Sequence, residues 1–360
     1  HDIGMIKTGY SKRIVDRETK GVWAHSVYGY LFFRYLSPIG DKAEIVLYHH
    51  LPFRLHGMIK SQYMKIAEYL TLADKMDMYL CTDGDGLNRN YFSQNAGVEF
   101  SAKAVESFNK AQAKYNIMEK LNDGSYKDEM DALLANAHFT EKYKKGFLEM
   151  LIYTIDFRSQ QTVMHTLATT AFALELGRIL RVSTKELQLL YYGALLHDIG
   201  KIAIPVEILE APRRLTDEEM QVMKAHVSVS EKILRGIIDD EVLEVAVRHH
   251  EKLDGSGYHR GLKGEELTQL QRIVAVADIL SALYGKRSYK DSFEPEKIKA
   301  ILMKDAEAGK ICQGIVSVAV GNFDTIIRNY EKQRKNTLGI YETILTQYDK
   351  IYEQFKIYEQ

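Results

Sequence analysis

The chain has 360 residues, of which 46% are hydrophobic and 27% charged, so it is long enough for two globular domains that each bury a core. Its net charge of −1 at pH 7 excludes a broad electrostatic grip on DNA, RNA or an anionic membrane surface. Cys81 and Cys312 form no CxxC pair, and no signal peptide or apolar run of roughly 18 residues is visible, so we expect a cytoplasmic protein without a membrane span.

Helical periodicity runs through most of the chain. Prolines number only five, and Leu, Ile, Ala, Lys and Glu recur at i, i+3 and i+4 steps. In chain order these steps predict helices over 58–80, 101–121, 146–181, 184–198, 216–236, 239–250, 268–285 and 294–308. Glycine-rich turn signals at 83–86, 122–125 and 254–257 separate some of them. We therefore predict an all-α protein.

An ordered set of histidines and aspartates occurs twice. Each copy begins with HDIG and continues with a single histidine, a histidine pair and an aspartate at nearly the same spacing. The first copy consists of His1, Asp2, His25, His49, His50 and Asp74, and the second of His197, Asp198, His226, His249, His250 and Asp278. This internal repeat predicts two helical domains in tandem, over 1–110 and 141–325, joined by a helical connector over 111–140.

The last segment, 326–360, differs from both copies. Its apolar residues step by three and four, which is typical of a short heptad seam. They are Leu338, Tyr341, Leu345, Tyr348, Tyr352 and Phe355. The pattern predicts a C-terminal helix that either packs on its own domain or forms a coiled coil in a homodimer.

The second copy carries the donor set of a metal site. Histidines and aspartates in apolar helices cost several kcal/mol each when they are charged and unpaired, so a cation is their simplest common partner. The seven candidate ligands are His165, His197, Asp198, His226, His249, His250 and Asp278. Nitrogen and oxygen donors without a thiolate suit divalent iron, manganese, cobalt, nickel or zinc. Their number suits two ions bridged by the Asp198 carboxylate, an arrangement typical of phosphate-ester hydrolysis.

Three motifs of the second copy together resemble a known family. LLHDIGKIAIP at 195–205, HHEKLDGSGYH at 249–259 and VADILSALYGKRSYKD at 276–291 are similar to the HD-GYP phosphodiesterases, a subgroup of the HD superfamily. The resemblance covers about 150–325. It implies an all-helical, metal-dependent phosphodiesterase in which a hydroxide bridging two divalent ions attacks the substrate. Cyclic di-GMP or cyclic GMP-AMP would be cleaved to a linear dinucleotide or a mononucleotide, with iron or manganese as the favoured metal.

The resemblance also implies residue roles. The seven candidates above would be the metal ligands, and Asp198 and Lys201 the catalytic groups, with Lys201 holding an oxygen of the scissile phosphate. Tyr258 would contact the substrate from the glycine-containing loop, and Arg287 and Lys290 would bind phosphate. An exposed basic face and an ordinary turn are the alternatives for the basic pair and for the loop.

Two positions of the second copy depart from the family pattern. Gln161 stands four residues before His165, where members with three ions have glutamate, so we expect two ions rather than three. His259 replaces a proline at the end of the loop, which we expect to loosen the loop.

The first copy resembles a decayed version of the same domain. After its histidine pair it has LPFRLHGM, at 51–58, instead of the glycine-containing loop. We expect it to have a regulatory or packing role rather than to form a second active centre.

Three other functions remain open. One is a broader HD phosphohydrolase acting on mononucleotides or alarmones, and another is a di-iron site that activates oxygen. The third is a sensor that binds a cyclic dinucleotide without cleaving it.

Overall fold

The computed structural model describes residues 1–5, 22–81, 89–157, 160–285 and 293–356. Across these ranges the secondary structure is helical, and the only β-type pairings are isolated bridges, Ala96 with Phe100 and Asp254 with Lys263. The predicted all-α class is confirmed. Among the described residues, no helix is both long and apolar enough to cross a membrane.

The chain divides into two compact units. Unit 1 comprises His1–Thr154 together with Glu342–Gln360, and unit 2 comprises Ile155–Tyr341. The domain boundaries inferred from the repeat, near 110, 140 and 325, stay predictions.

Unit 1 is built from short and medium-length helices. They are α1 (Val22–Leu36), α2 (Glu44–Leu47), α3 (Met64–Cys81), α4 (Arg89–Gln94), α5 (Ala102–Tyr115), α6 (Ile117–Asp123), α7 (Tyr126–Asn136) and α8 (Glu141–Asp156), the last of which ends in unit 2. Short 3-10 helices lie at Asp2–Gly4, Gly40–Lys42 and Phe53–Met58. On α1, Trp23, Val27 and Leu31 recur every four residues and are fully buried, so one face of this helix lies in the core.

Unit 2 contains the longer helices. They are α9 (Gln160–Ile179), α10 (Thr184–Leu196), α11 (Val206–Leu209), α12 (Asp217–Leu234), α13 (Asp240–Ala246), α14 (Gln269–Tyr284), α15 (Pro295–Glu307), α16 (Gln313–Gly321) and α17 (Phe323–Phe355), which continues into unit 1. Short 3-10 helices lie at Ile199–Ala203 and Gly264–Glu266.

Capping boxes set where three helices of unit 2 begin. In each box a side-chain hydroxyl accepts the backbone N–H three residues later, and the later side chain accepts the N–H of the cap. The pairs are Ser183 with Glu186, Thr216 with Glu219, and Thr268 with Gln271. Each cap stabilises its helix by about 1 kcal/mol. His197 directly follows α10, His226 lies on α12 and Asp278 on α14. The caps therefore fix where the helices that position these three residues begin.

Helix α14 lies at the centre of unit 2. Its residues 273–277 are all buried, and a helix that is apolar on every face must be enclosed by neighbours. Phe172 and Leu176 of α9 lie in the same core. The two helices therefore hold their polar side chains inside a tightly packed scaffold.

The predicted seam of the C-terminal helix packs partly within the chain. In unit 1, Tyr348 stacks on Tyr28 with ring centroids 4.0 Å apart, and Phe355 contacts Trp23 at 4.7 Å. In unit 2, Tyr341 stacks on Phe157 and donates a hydrogen bond to its carbonyl oxygen. Pairing of two chains through this helix stays a prediction.

Candidate metal centre

The seven predicted ligands come from five elements of unit 2 and meet at one place. His165 lies on α9, His197 at the end of α10, Asp198 directly after it, His226 on α12, His249 and His250 in the turn that follows α13, and Asp278 on α14. Six of them belong to the repeated order of the sequence, and folding brings all seven to one place, where Asp198 and Asp278 link two groups of histidines.

One group of donors surrounds the end of α10. The Nε2 atoms of His197 and His165 lie 3.1 and 3.4 Å from Oδ2 of Asp198. One ligand atom from each of the three residues lies within 4.8 Å of the others. This spacing is compatible with a common cation.

A second group of donors consists of histidines alone. His226, His249 and His250 also have ligand atoms within 4.8 Å of one another. The Nε2 atoms of His226 and His249 are 3.3 Å apart. Two imidazoles that present nitrogen to nitrogen at this distance need a proton or a cation between them.

Asp198 lies between the two groups. Its Oδ2 faces the first, and its Oδ1 lies 3.3 Å from Nε2 of His226 and 4.0 Å from Nε2 of His249. Within the part of the chain that the structure describes, this buried Oδ1 has no partner with hydrogen-bond geometry. Such an atom is costly unless a ligand satisfies it. The residues present therefore fit a bound cation.

Asp278 also lies between the two groups. Its Oδ1 lies 2.9 Å from Nε2 of His165, and its Oδ2 lies 3.6 Å from Nδ1 of His250. Both carboxylates of the site therefore contact both groups of histidines.

Backbone carbonyl groups orient three of the histidines. In each, Nδ1–H donates to the carbonyl oxygen three residues earlier, which directs Nε2 towards the centre. The pairs are His197 with Ala194 at 2.7 Å, His226 with Met223 at 2.6 Å, and His249 with Ala246 at 2.8 Å.

His165 is oriented by side chains instead. Its Nδ1 lies 2.7 Å from Oγ of Ser281, which is also 2.7 Å from Oγ1 of Thr169. This chain of hydrogen bonds joins α9 to α14. Ser281 and Thr169 were not predicted as site residues, although Ser281 lies within the motif at 276–291.

Burial keeps several of the imidazoles neutral. It lowers the pKa of His226 and takes that of His249 well below its usual range, although Asp198 opposes both changes. Burial also lowers the pKa of His250 to about 3 against the opposing charge of Asp278. Neutral imidazole is the form that binds a metal ion.

The carboxylates are ionised, and His197 balances them. Burial opposes ionisation of Asp198, but the charges of His197 and Lys201 outweigh it and hold the pKa of Asp198 well below its usual range. Burial lowers the pKa of His197, yet the Asp198 and Asp278 carboxylates overcome this and raise it to about 10. The two acids therefore require nearby positive charge.

Lys201 and Tyr258 flank the donors. The Lys201 ammonium donates to Oδ2 of Asp198. The Tyr258 ring lies against His250, with centroids 4.6 Å apart and planes inclined by 30°. Burial raises the pKa of Tyr258, so its hydroxyl stays protonated and can donate a hydrogen bond.

The structure does not describe the side chains of three residues that were singled out in the sequence. Arg287 and Lys290 lie outside the described residues. Gln161 lies on α9, but its side chain is also outside the description.

The loop that carries Tyr258 is organised by Glu251. Its carboxylate accepts the backbone N–H groups of His259, Arg260 and Leu262 at 2.7 to 3.2 Å. A Cβ on Gly257 would lie only 2.4 Å from the backbone nitrogen of Lys252, so this position requires glycine. Glu251 was not predicted as a site residue, although a charge directly after the histidine pair was a usable signal.

The expectation that His259 loosens this loop is wrong. Its Nδ1 lies 3.1 Å from Oγ of Ser228, and its Nε2 lies 2.5 Å from Oε2 of Glu231. Arg260 adds a bond to the same glutamate. The imidazole thus fixes the loop to α12 through contacts that proline lacks.

Comparison with known proteins identifies relatives of this chain. Residues 149–311 match the family model described as HD domain. The chain is 26% identical to 3'3'-cGAMP-specific phosphodiesterase 1 of Vibrio cholerae, across 92% of this chain and 80% of that protein. It is 34% identical to the cyclic di-GMP phosphodiesterase response regulator RpfG of Xanthomonas campestris, across 50% of this chain and 53% of RpfG. The chain thus spans about half of that relative.

A solved structure shares the fold. The cyclic GMP-AMP specific phosphodiesterase V-cGAP3 of Vibrio cholerae aligns with a TM-score of 0.52 and 20% identity, over 88% of this chain and 80% of that one. The resemblance to the HD-GYP phosphodiesterases is confirmed.

Proposed function

We propose that unit 2 is a metal-dependent phosphodiesterase that hydrolyses a cyclic dinucleotide, either cyclic di-GMP or cyclic GMP-AMP. One observation carries the proposal: the Asp198 carboxylate lies between two groups of histidines, with the Lys201 ammonium beside it. The names of the relatives support the substrate class, because each is described as a phosphodiesterase of one of these two molecules.

The donor set suits two divalent ions, with iron or manganese favoured. One ion would be held by His165, His197 and Asp198, and the other by His226, His249 and His250, with both aspartates serving each. When bound, such ions lower the pKa of water for attack and neutralise the charge that develops on the phosphate oxygens.

The remaining groups would bind and orient the dinucleotide. Once cations balance the charge of the Asp198 carboxylate, the Lys201 ammonium would be free to donate a hydrogen bond to an oxygen of the scissile phosphate instead. Tyr258 offers an aromatic face and a protonated hydroxyl beside His250. Arg287 and Lys290 would hold the second phosphate, which a mononucleotide lacks.

The proposal is tested by product identification. The full chain, loaded anaerobically with Fe(II) or Mn(II), would be incubated with each cyclic dinucleotide and with mononucleotide monoesters. We expect a linear dinucleotide from at least one cyclic substrate, no product from Asp198→Asn, and full activity from Asp217→Asn, an exposed aspartate of the same unit.

Two results would contradict the proposal. Turnover of monoesters without diesters would indicate a broader phosphohydrolase. Tight binding of a cyclic dinucleotide without any linear product would indicate a sensor.

A further inference from the structure

A second cluster of histidines and aspartates lies in unit 1, outside the matched residues 149–311. His25, His49 and His50 have ligand atoms within 4.8 Å of one another, and the same holds for His1, Asp2 and His49. Nε2 of His25 is 2.9 Å from Nε2 of His50. Asp74 completes the cluster, with its Oδ1 2.8 Å from Nε2 of His1.

The backbone around this cluster reproduces that of unit 2. A Cβ on Gly4 would lie 1.9 Å from the carbonyl oxygen of His25, and a Cβ on Gly200 would lie 2.0 Å from that of His226. In both units, the turn after the HD pair therefore touches the helix that carries the next histidine. This shared close approach indicates that the cluster of unit 1 is a folded counterpart of the metal centre, not a chance grouping.

Two buried polar atoms in the cluster lack partners. His49 is fully buried, and its Nδ1–H donates to the carbonyl oxygen of Val46 at 2.5 Å, as His249 does in unit 2. Its Nε2 and Oδ2 of Asp74 are buried without a hydrogen-bond partner among the residues that the structure describes. Leaving such atoms unsatisfied is costly, and a cation bound by the cluster would satisfy Nε2 of His49.

The surroundings of this cluster differ from those of the metal centre in unit 2. Met5, which is buried, stands third after Asp2, whereas Lys201 stands third after Asp198. Residues Phe53–Met58 form a 3-10 helix in place of the loop that carries Tyr258. The side chain of Asp2 is 44% exposed, against 3% for Asp198. The cluster therefore keeps the metal donors, while Met5 stands at the position of Lys201 and a 3-10 helix at the position of the loop with Tyr258.

We propose that unit 1 holds a divalent transition metal ion of its own, bound by His25, His49 and His50 with Asp2, and that this site does not hydrolyse phosphodiesters. His1 and Asp74 lie next to these ligands, with Nε2 of His1 3.1 Å from Oδ1 of Asp2 and Oδ2 of Asp74 3.9 Å from Nδ1 of His50. The ion takes the same donor types as the proposed centre of unit 2, so both sites load under the same conditions.

Reciprocal variants of the full chain separate the two sites. After anaerobic loading with Mn(II) and removal of free metal, bound metal per chain is measured by mass spectrometry. His25→Asn with His49→Asn should lower it by at least one ion relative to the wild type. His226→Asn with His249→Asn should leave at least one ion bound and give no linear dinucleotide. Circular dichroism confirms that each variant is folded.

Failure of a variant to fold does not end the test. Crystals of the wild-type chain loaded with Mn(II) should give an anomalous difference peak between Nε2 of His49 and the Asp2 carboxylate. The proposal is overturned if no peak occurs there, or if folded His25→Asn with His49→Asn binds as much metal as the wild type. Diester hydrolysis by folded His226→Asn with His249→Asn would overturn its second half.

Discussion

Lys201 places a positive charge next to a carboxylate of the site. Its ammonium neutralises Asp198, and the corresponding position of unit 1 carries Met5 instead. The same backbone turn therefore supports a charged and an apolar side chain. Replacing Lys201 by methionine, the residue at the corresponding position of unit 1, removes the charge and keeps most of the length of the side chain.

Lys201→Met should lower kcat for the cyclic dinucleotide by about 10²- to 10³-fold, which is the usual cost of removing one donor to a developing negative charge. Bound metal per chain should stay at the wild-type level, because the metal donors are unchanged. Steady-state kinetics and metal analysis measure the two quantities. Lys185→Met, at an exposed position of unit 2, is the control. A kcat equal to that of the control would refute the role of Lys201.

Glu231 fixes the loop that carries Tyr258. Burial opposes its ionisation, but hydrogen bonds from His259 and Arg235 and the charge of Arg260 lower its pKa from 4.5 to about 2. A carboxyl group whose pKa is lowered on folding stabilises the protein above its unfolded pKa. That contribution is lost as the pH falls from 4.5 towards 2.

Glu231→Gln should therefore lower the melting temperature near neutral pH, and the difference from the wild type should shrink between pH 4.5 and 2. Thermal melts of both proteins measure this difference in melting temperature. A chelator is present throughout, so that loss of metal at low pH does not contribute. Glu265→Gln, at an exposed position, should not change the melting temperature. A difference that stays constant from pH 7 to pH 2 would show that the carboxylate charge does not stabilise the fold.

At the scale of elements, the contact of α9 with α14 positions a ligand. Ser281 of α14 bonds both to His165 and to Thr169 of α9, so the imidazole is held by both helices. Groups that orient a metal-binding histidine contribute to metal affinity without touching the ion.

Ser281→Ala should lower metal affinity by about 10- to 100-fold, because His165 loses the partner of its Nδ1. Competition with a chromogenic chelator measures the affinity. Thr170→Val is the matched control, since among the described residues the Thr170 hydroxyl bonds only to a carbonyl oxygen of its own helix. Equal affinities for the two variants would contradict the positioning role.

The contact between the turn at Ile199–Ala203 and α12 depends on a glycine. Gly200→Ala would place a Cβ 2.0 Å from the carbonyl oxygen of His226, so the turn and the helix must separate. We expect a loss of about 1–3 kcal/mol in the free energy of unfolding, measured by urea denaturation. Gly314→Ala, where nothing lies within 4 Å of the added carbon, should cost far less. Equal losses would show that the close approach is not maintained in solution.

At the scale of the whole molecule, the sequence predicts the helical class and the donors of the site. The spacing of apolar residues by three and four predicts helices directly. The repeated order of histidines and aspartates indicates residues that the same fold brings together in each copy. The convergence of His197, His226 and Asp278 follows from that order, to which His165 does not belong. Their roles in metal binding and catalysis stay proposals.

Other contacts were not predictable because they depend on packing. Ser281 reaches His165 across more than a hundred residues, and His259 reaches Glu231 from another element. No local pattern encodes such pairs. We expected His259 to loosen the loop because the sequence shows that a proline is missing there. It does not show the hydrogen bonds of His259 to Ser228 and Glu231, which hold the loop instead.

The most direct test follows the linear dinucleotide formed by the full chain through one cycle of metal removal and return. The loaded protein should cleave cyclic di-GMP or cyclic GMP-AMP, lose that activity on chelation and regain it when Mn(II) is restored. Product that persists after complete chelation, or none from either dinucleotide in the loaded protein, would contradict a metal-dependent phosphodiesterase in unit 2.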